Sequence, residues 1–460
     1  MATETRSQRQ VLVAFGAIML ATLLAALDQT IVATALPKIA EDLNGFNNLS
    51  WVVTAYLLST TVTVPLYGKL SDLYGRRRLF VVSISIFLLG SALCGIAQSM
   101  GELIAFRALQ GVGAGGLIPL SQAAIADLFS PRERGRYQGY IGSMWATAAI
   151  AGPLLGGTLT DAASWRWIFL INLPLGALAL VVVVKTMRMP TQVREHSIDY
   201  AGALLLSVGV TAILLAGAWG GSSYAWDSVQ VVGAAVIGVA ALAGFAFLEP
   251  RVTEPLLPLG LFRIRTFTVS TLAALLIGGV LFGITIYVPV YVQRVLGASA
   301  TSSGVILIPL SFGWVLAAFA SGQLISKTGR YRVYPILGAA LVLVGCILLT
   351  ALDENSSRLF VTFDLLIVGL GMGTMFQVYV IATQNRVQMS EIGVATAAIQ
   401  FFRSMGGSLA VAGLGALLTA RLATGVESGT HAVFVAIVPL AALIVVLSFL
   451  LPEHELRTAN

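Results

Sequence analysis

The sequence predicts an all-α polytopic membrane protein: two six-helix bundles in one chain plus two inserted helices, making fourteen transmembrane helices. Three observations predict it. Of the 460 residues, 57% are hydrophobic and 10% charged, against roughly 25% charged in a soluble domain, and the mean hydropathy is +0.89. Fourteen apolar stretches, each about 20 residues and so long enough to cross a bilayer, follow one another with short loops between them. The basic residues alternate from loop to loop: of 27 Lys and Arg, only Lys38, Arg166, Arg294, Arg358 and Arg421 lie on the side opposite the N terminus, while Arg107 and Arg403 fall inside helices. By the positive-inside rule this sorting places both termini in the cytoplasm.

The stretches run 11–36, 48–68, 79–99, 102–126, 137–160, 167–186, 198–218, 229–248, 267–292, 303–325, 333–351, 359–381, 393–420 and 431–451. The first is long and has no small-residue cleavage site after a short core, so it reads as a retained helix and not as a signal peptide. Near its end, Leu27-Asp28-Gln29-Thr30-Ile31-Val32 places a carboxylate among hydrocarbon. Burying that group in lipid costs a few kcal/mol or more, which points to Asp28 as a residue that takes and releases a proton.

Gly68-Lys-Leu-Ser-Asp72-Leu-Tyr-Gly75-Arg76-Arg77-Arg78 follows the second stretch. Gly68 and Gly75 allow a tight cytoplasmic turn, the arginines anchor it at the headgroups, and Asp72 can pair with an arginine or face a helix N-terminus. This segment is either a conformational latch or a topogenic basic loop. It is echoed by Gly322 to Arg332 after the tenth stretch, with the pattern G-x-L-x-x-x-x-G-R-x-R in both. Gly111, Gly113 and Gly115 in helix 4 are echoed by Gly369, Gly371 and Gly373 in helix 12. Two related bundles therefore share the chain, and helices 7 and 8 are the insert. The expected division is 1–188 for the N-terminal bundle, 189–262 for the insert with its cytoplasmic linkers, and 263–460 for the C-terminal bundle.

Helix 4 carries Arg107, roughly 8 Å deep from its outer end, while Asp28 lies roughly 13 Å from the outer end of helix 1, at 1.5 Å per residue. An extended arginine bridges most of that difference. The pair is either a static packing contact or a working one, in which Arg107 sets how readily Asp28 takes a proton and protonation breaks the contact. Helix 5 contains Gly152-Pro153-Leu-Leu-Gly156-Gly157. Proline removes a backbone donor and bends a helix, and glycines four apart bare a face for close contact. Either a plain packing face or a kink at a bundle interface follows.

These residues resemble the major facilitator superfamily over the whole chain, and within it the fourteen-helix drug:proton antiporters of the multidrug efflux type. The match rests on Leu27 to Pro37, Gly68 to Arg78, Arg107 with Gln110-Gly111, Gly152-Pro153 with Gly156-Gly157, and Trp165 to Pro174. Ala148 departs from the pattern, which usually has glycine there, and the loop 421–430 is short where some members carry a long external segment. The resemblance implies the major facilitator fold, alternating access about a central cavity, a bacterial plasma membrane, and export of lipophilic or cationic amphiphiles against proton entry.

Asp364, in helix 12, is either a second proton or cation-substrate site or an interfacial residue reaching water. Arg403, nearer mid-membrane, is expected to face the cavity or to pair with a carbonyl or with Asp364. Trp145, Phe282, Tyr287, Phe376, Gln377, Gln400 and Phe401 are candidates for cavity lining, because an aromatic wall binds flat amphiphiles without strict geometry. Each alone also fits a core or lipid-facing position.

The net charge of +6 is dispersed through short loops, which fits membrane topology and not nucleic acid. Cys94, Cys346 and the three histidines show no metal-ligand spacing, and no G-x-x-x-x-G-K-[ST] segment is present for nucleotide. No cofactor, no metal, no enzymatic activity and a monomer are expected, with the lipid bilayer, protons and a small amphiphilic substrate as partners. Competing readings are a dedicated exporter of one metabolite or lipid, and a non-transporting membrane sensor or scaffold.

Overall fold

The structure, a computed structural model, describes residues 8–44, 49–186, 199–221, 224–252, 255–298, 305–421 and 425–456. The expected boundary between 188 and 189 lies outside them. A helix lies within or across each of the fourteen apolar stretches among the described residues: α1 (Gln8–Asp42), α2 (Leu49–Tyr74), α3 (Arg76–Ile96), α4 (Met100–Leu128), α5 (Pro131–Ala162), α6 (Asn172–Thr186), α7 (Tyr200–Trp219), α8 (Val229–Leu248), α9 (Arg265–Arg294), α10 (Ile308–Thr328), α11 (Val333–Leu349), α12 (Arg358–Arg386), α13 (Ile392–Arg421) and α14 (Val426–Leu450). A single helical turn, Trp167–Leu170, leads into α6. Among the described residues, eleven helical segments are long and apolar enough to cross a membrane. Those of α2 and α5 are not among them, and α11 is apolar but 17 residues long. For α2 the sequence gives the reason: Ser59, Thr60, Thr61 and Thr63 lie in its middle.

The helices cluster into two compact units. The first holds α1 to α4, α5 from Ser143, α6 and Met389–Ala397; the second holds Pro131–Gly142, α7 to α12 and the chain from Ala398 onward.

The repeat seen in the sequence governs packing in both units. Cβ atoms built on Gly111 and Gly115 would collide with Tyr56, Thr60 and Thr63 of α2, and one on Gly113 with Ser83 and Phe87 of α3. In the second unit, Gly369 and Gly373 meet Leu310 and Trp314 of α10, and Gly371 meets Gly338 and Val342 of α11. Alternate bare positions thus let one helix lie tightly between two others, the small-residue packing expected where lipid supplies no hydrophobic drive. The caps repeat as well: the Ser99 side chain accepts from Glu102 N–H at the start of α4, and Ser357 from Phe360 N–H at the start of α12, each closing a donor that the helix leaves open.

One expectation at 68–78 changes here. Gly68 lies inside α2, which runs on to Tyr74, so it makes no turn. Its bare face admits Gly393 and Ala397 of α13. Gly75, at φ 89°, makes the turn alone, in a region that a side chain disfavours. Gly329, at φ 72°, ends α10 in the same way.

Helices α7 and α8 pack on each other through Gly209 against Leu242 and Gly238 against Ile213. Val229, Val232, Val236, Ile237 and Val239 of α8 are exposed, an apolar surface of the kind lipid covers.

Candidate functional site: a buried ion pair in the first unit

Asp28 is fully buried, at 0% exposure, and Arg107 nearly so, at 2%. Arg107 Nη1 donates to Asp28 Oδ2 at 2.8 Å. Asp28 Oδ1 accepts from Gln110 Nε2 at 2.8 Å and Asn172 Nδ2 at 3.1 Å. Both amides also reach the Ser91 hydroxyl oxygen, at 3.1 and 3.0 Å, and Ser91 Oγ donates to the Phe169 carbonyl at 2.8 Å. Arg107 further donates to Gln110 Oε1 at 2.6 Å and the Val52 carbonyl at 3.3 Å, and its guanidinium lies 4.0 Å from the Tyr56 ring centroid. Helices α1, α2, α3, α4 and α6 therefore converge on one carboxylate. A charge out of water needs a counter-charge and hydrogen-bond donors, and this cluster supplies Arg107 as the counter-charge and three donated bonds in all. A proton arriving on Asp28 would cancel the charge that all three donors serve.

The sequence pairs Asp28 with Arg107 and the geometry brings them together. Gln110 carries a signal in hindsight, since i+3 on a helix shares the face of Arg107. Asn172 is set by the turn ahead of α6: buried Trp165 donates to Asp42 Oδ2 at 3.0 Å, and Arg166 donates to the Ala97 carbonyl at 2.8 Å while stacking over Trp165. Ser91 and Tyr56 give no signal in the sequence.

Gly152 faces this cluster's helix. A Cβ there would strike the Thr30 hydroxyl, which donates to the Ala148 carbonyl at 2.9 Å. Alanine at 148 is fully buried against Ala26 and Leu27 beside Trp145, so the departure from glycine fits. Gly156 is buried, and Gly157 has open space around it. The Pro153 ring lies outside the described side chains.

A second centre surrounds Asp72. Its carboxylate pairs with Arg76 Nη1 and accepts from the Gly393 and Val394 backbone N–H groups at 3.2 and 2.9 Å. It thus caps the first turn of α13, where the helix dipole favours an anion. Arg76 does not sit at headgroups as expected. It is buried, donating from Nε to Asp127 Oδ2 at 3.0 Å and from Nη1 to Ser71, because two carboxylates hold it inward. Arg77 donates to the Val184 carbonyl at 2.5 Å, near the end of α6.

In the second unit, Asp364 does not reach water. It is 1% exposed, its carboxylate oxygens make no hydrogen bond, and it lies against Gly345 and Val368 in the apolar core. The expected bond between Arg403 and Asp364 or a carbonyl does not form: the guanidinium lies over the Phe376 ring at 4.9 Å instead. Tyr287 is buried and donates to the Val411 carbonyl at 2.8 Å, Phe282 packs on Gly407, and Phe401 stacks edgewise on Phe402. Gln377 and Gln400 are buried with their carbonyl oxygens unpaired.

A family model described as Major Facilitator Superfamily matches residues 18–411. Multidrug transporter protein MdtP of Bacillus subtilis (strain 168) is 39% identical over 421 residues, covering 92% of this chain and 77% of that one. Multidrug resistance protein 3 of the same organism is 36% identical over 419 residues, covering 91% and 82%. The solved proton:xylose symporter XylE, bound to 6-bromo-6-deoxy-D-glucose, aligns with a TM-score of 0.71 at 14% identity over 98% of both chains, a likeness of fold. With most of its length matched by the family model and by relatives above one-third identity, the chain belongs to the major facilitator superfamily, a family of transport proteins and not of enzymes.

Proposed function

We propose that this protein is a proton-coupled antiporter that exports lipophilic or cationic drugs across the plasma membrane by alternating access. It has fourteen spans, both termini in the cytoplasm, and acts as a monomer. The single observation carrying this reading is Asp28, an ionisable group at 0% exposure held by Arg107, Gln110 and Asn172. An intramembrane carboxylate with so complete a set of partners has two stable conditions, charged and bonded or neutral and released, and a proton selects between them. The names of the two Bacillus relatives support drugs as cargo.

In this scheme a proton from outside neutralises Asp28 and frees Arg107, and the site reorients inward. Loss of the proton to the cytoplasm restores the pair and favours drug capture. Asp72, capping α13 while Arg76 bridges to Asp127, is the conformational latch together with Gly68, Gly75 and Arg77. Gly152, Pro153, Gly156 and Gly157 form the kink of α5. Asp364, which no donor or cation faces, is a second proton-coupling candidate. Residues 1–188 and 263–460 are the moving bundles, and 189–262 is the peripheral insert.

Reconstituted protein tests this directly. Under an imposed pH gradient, wild type exchanges a drug such as ethidium for protons and Asp28→Asn does not. Equal exchange rates in the two would sink proton coupling through Asp28.

A further inference from the structure

The two units treat their intramembrane arginines differently: Arg107 is buried and Arg403 half-buried. Arg107 stacks on an aromatic ring and has a carboxylate, an amide and a carbonyl to serve. Arg403 stacks on Phe376, yet no hydrogen bond or ion pair reaches it among the described residues, and its Nε is sealed from solvent without a partner. Asp364, the acid in α12, precedes Phe376 by twelve residues, roughly 18 Å along the helix axis, and both its oxygens are unbonded.

The surroundings of Arg403 are specific. Helix α13 places Gln400 and Arg403 one turn apart on the same face, and α12 supplies Phe376. Trp314 of α10 lies edge-on to Phe376, with centroids 6.3 Å apart. Gly278 of α9 takes the Arg403 carbonyl against its bare face, and Gly406 takes the Leu275 backbone, so α13 is fixed and the guanidinium is directed at α12 and not at lipid. One cation, the Gln400 amide one turn away and the Phe376 ring thus share one region, with the Arg403 Nε and the Gln400 carbonyl oxygen unbonded. A half-buried cation with, among the described residues, no counter-charge and a sealed, unpaired Nε matches one kind of guest. A planar carboxylate accepts the two parallel N–H groups of an arginine fork, the Gln400 amide can donate to a second acceptor, and an aromatic body lies against Phe376 and Trp314.

We propose that Arg403, with Gln400, Phe376 and Trp314, is a binding site for the carboxylate of an aryl acid, so that amphipathic anions are among the substrates. This rests on the export reading above for its purpose, while its test reads binding alone. The probes are coumarin-3-carboxylate and coumarin-3-carboxamide, equal in shape and different in charge. Equilibrium dialysis of each against purified protein, with protein-free micelles as the baseline, gives the two affinities. Wild type should bind the acid about tenfold or more tighter than the amide, the scale of a charge-assisted hydrogen bond. Arg403→Gln should bring that ratio to about one and leave amide binding unchanged. If Arg403→Gln does not fold, Arg403→Lys keeps the charge without the fork and should lower the ratio. No preference in wild type, or an unchanged ratio in the variant that folds, would overturn the site. A wild type that prefers the acid in dialysis but exchanges neither it nor ethidium against a pH gradient would keep the site and remove the export reading.

Discussion

Arg107→Gln leaves Asp28 fully buried with Gln110 and Asn172 as donors and no cation. Asp28→Asn leaves Arg107, equally buried, with Gln110 and the Val52 carbonyl and no anion. Breaking a buried pair from one side costs about 3–5 kcal/mol, because the surviving charge stays in low dielectric. If the two residues acted independently, the double variant would lose about twice that, 6–10 kcal/mol. The double variant, however, carries no buried charge, and its two amides can bond each other across the 2.8 Å that separated the ions. Its loss should fall short of the sum of the singles by at least about 2 kcal/mol, a coupling typical of residues in one network. Unfolding by SDS in mixed micelles, followed by tryptophan fluorescence, measures all four corners of the cycle. Losses that add to within about 0.5 kcal/mol would refute the claim that the cluster is one electrostatic unit.

Four further outcomes can be checked with the same protein. Gly152→Leu should prevent stable folding or cost at least about 1–3 kcal/mol by overpacking on Thr30, whereas Gly157→Ala, with open space, should melt within about 0.5 kcal/mol of wild type. Asp72→Ala should cost about 1–3 kcal/mol by stripping the α13 cap and one partner of buried Arg76; a melting curve identical to wild type would remove Asp72 from the latch. Asp364→Leu should melt at or above wild type, since an apolar group replaces an unbonded carboxyl, while drug–proton stoichiometry in proteoliposomes falls; an unchanged stoichiometry would take Asp364 out of coupling. The Tyr331 hydroxyl donates to the Pro452 carbonyl at 2.8 Å and accepts from His454 N–H at 3.1 Å, tying the tail after α14 to the α10–α11 connection. Burial pushes the Tyr331 phenol up to about 12, from about 10 when unfolded. The tie should therefore be intact below pH 10 and weaken as pH climbs from about 10 through 12, and Tyr331→Phe should expose the tail to carboxypeptidase at neutral pH.

Much of the fold is legible because membrane helices must satisfy their own backbone bonds, so hydropathy marks the helical stretches before any tertiary contact forms. The spacing of Gly111, Gly113 and Gly115, repeated at Gly369, Gly371 and Gly373, carried packing information directly: with lipid outside, bare helix faces have few uses other than contact. The Asp28–Arg107 pair was legible for a related reason, that two opposite charges at similar depth have little else to meet. Gly68 and Arg76 were misread because a motif written as a loop says nothing of where the helix before it ends, nor that Asp127, 51 residues after Arg76, draws the arginine inward. For Asp364 the interfacial alternative fails and for Arg403 the internal pairing fails, because depth along a helix is legible in the sequence and direction around it is not.

The helices, the two-fold repeat and the presence of an acid and a base inside each half are readable from the sequence alone. Only the tertiary structure decided which of those charges are answered. In the first unit, α3 and α6 bring Ser91 and Asn172 to complete the shell of Asp28. In the second, no element brings a hydrogen-bond partner to the Asp364 carboxylate or the Arg403 Nε among the described residues. Composition fixes how many charges lie in the membrane, but the free energy of each depends on the handful of atoms within 3 or 4 Å, set by helix rotation and by which glycines let neighbouring helices close in.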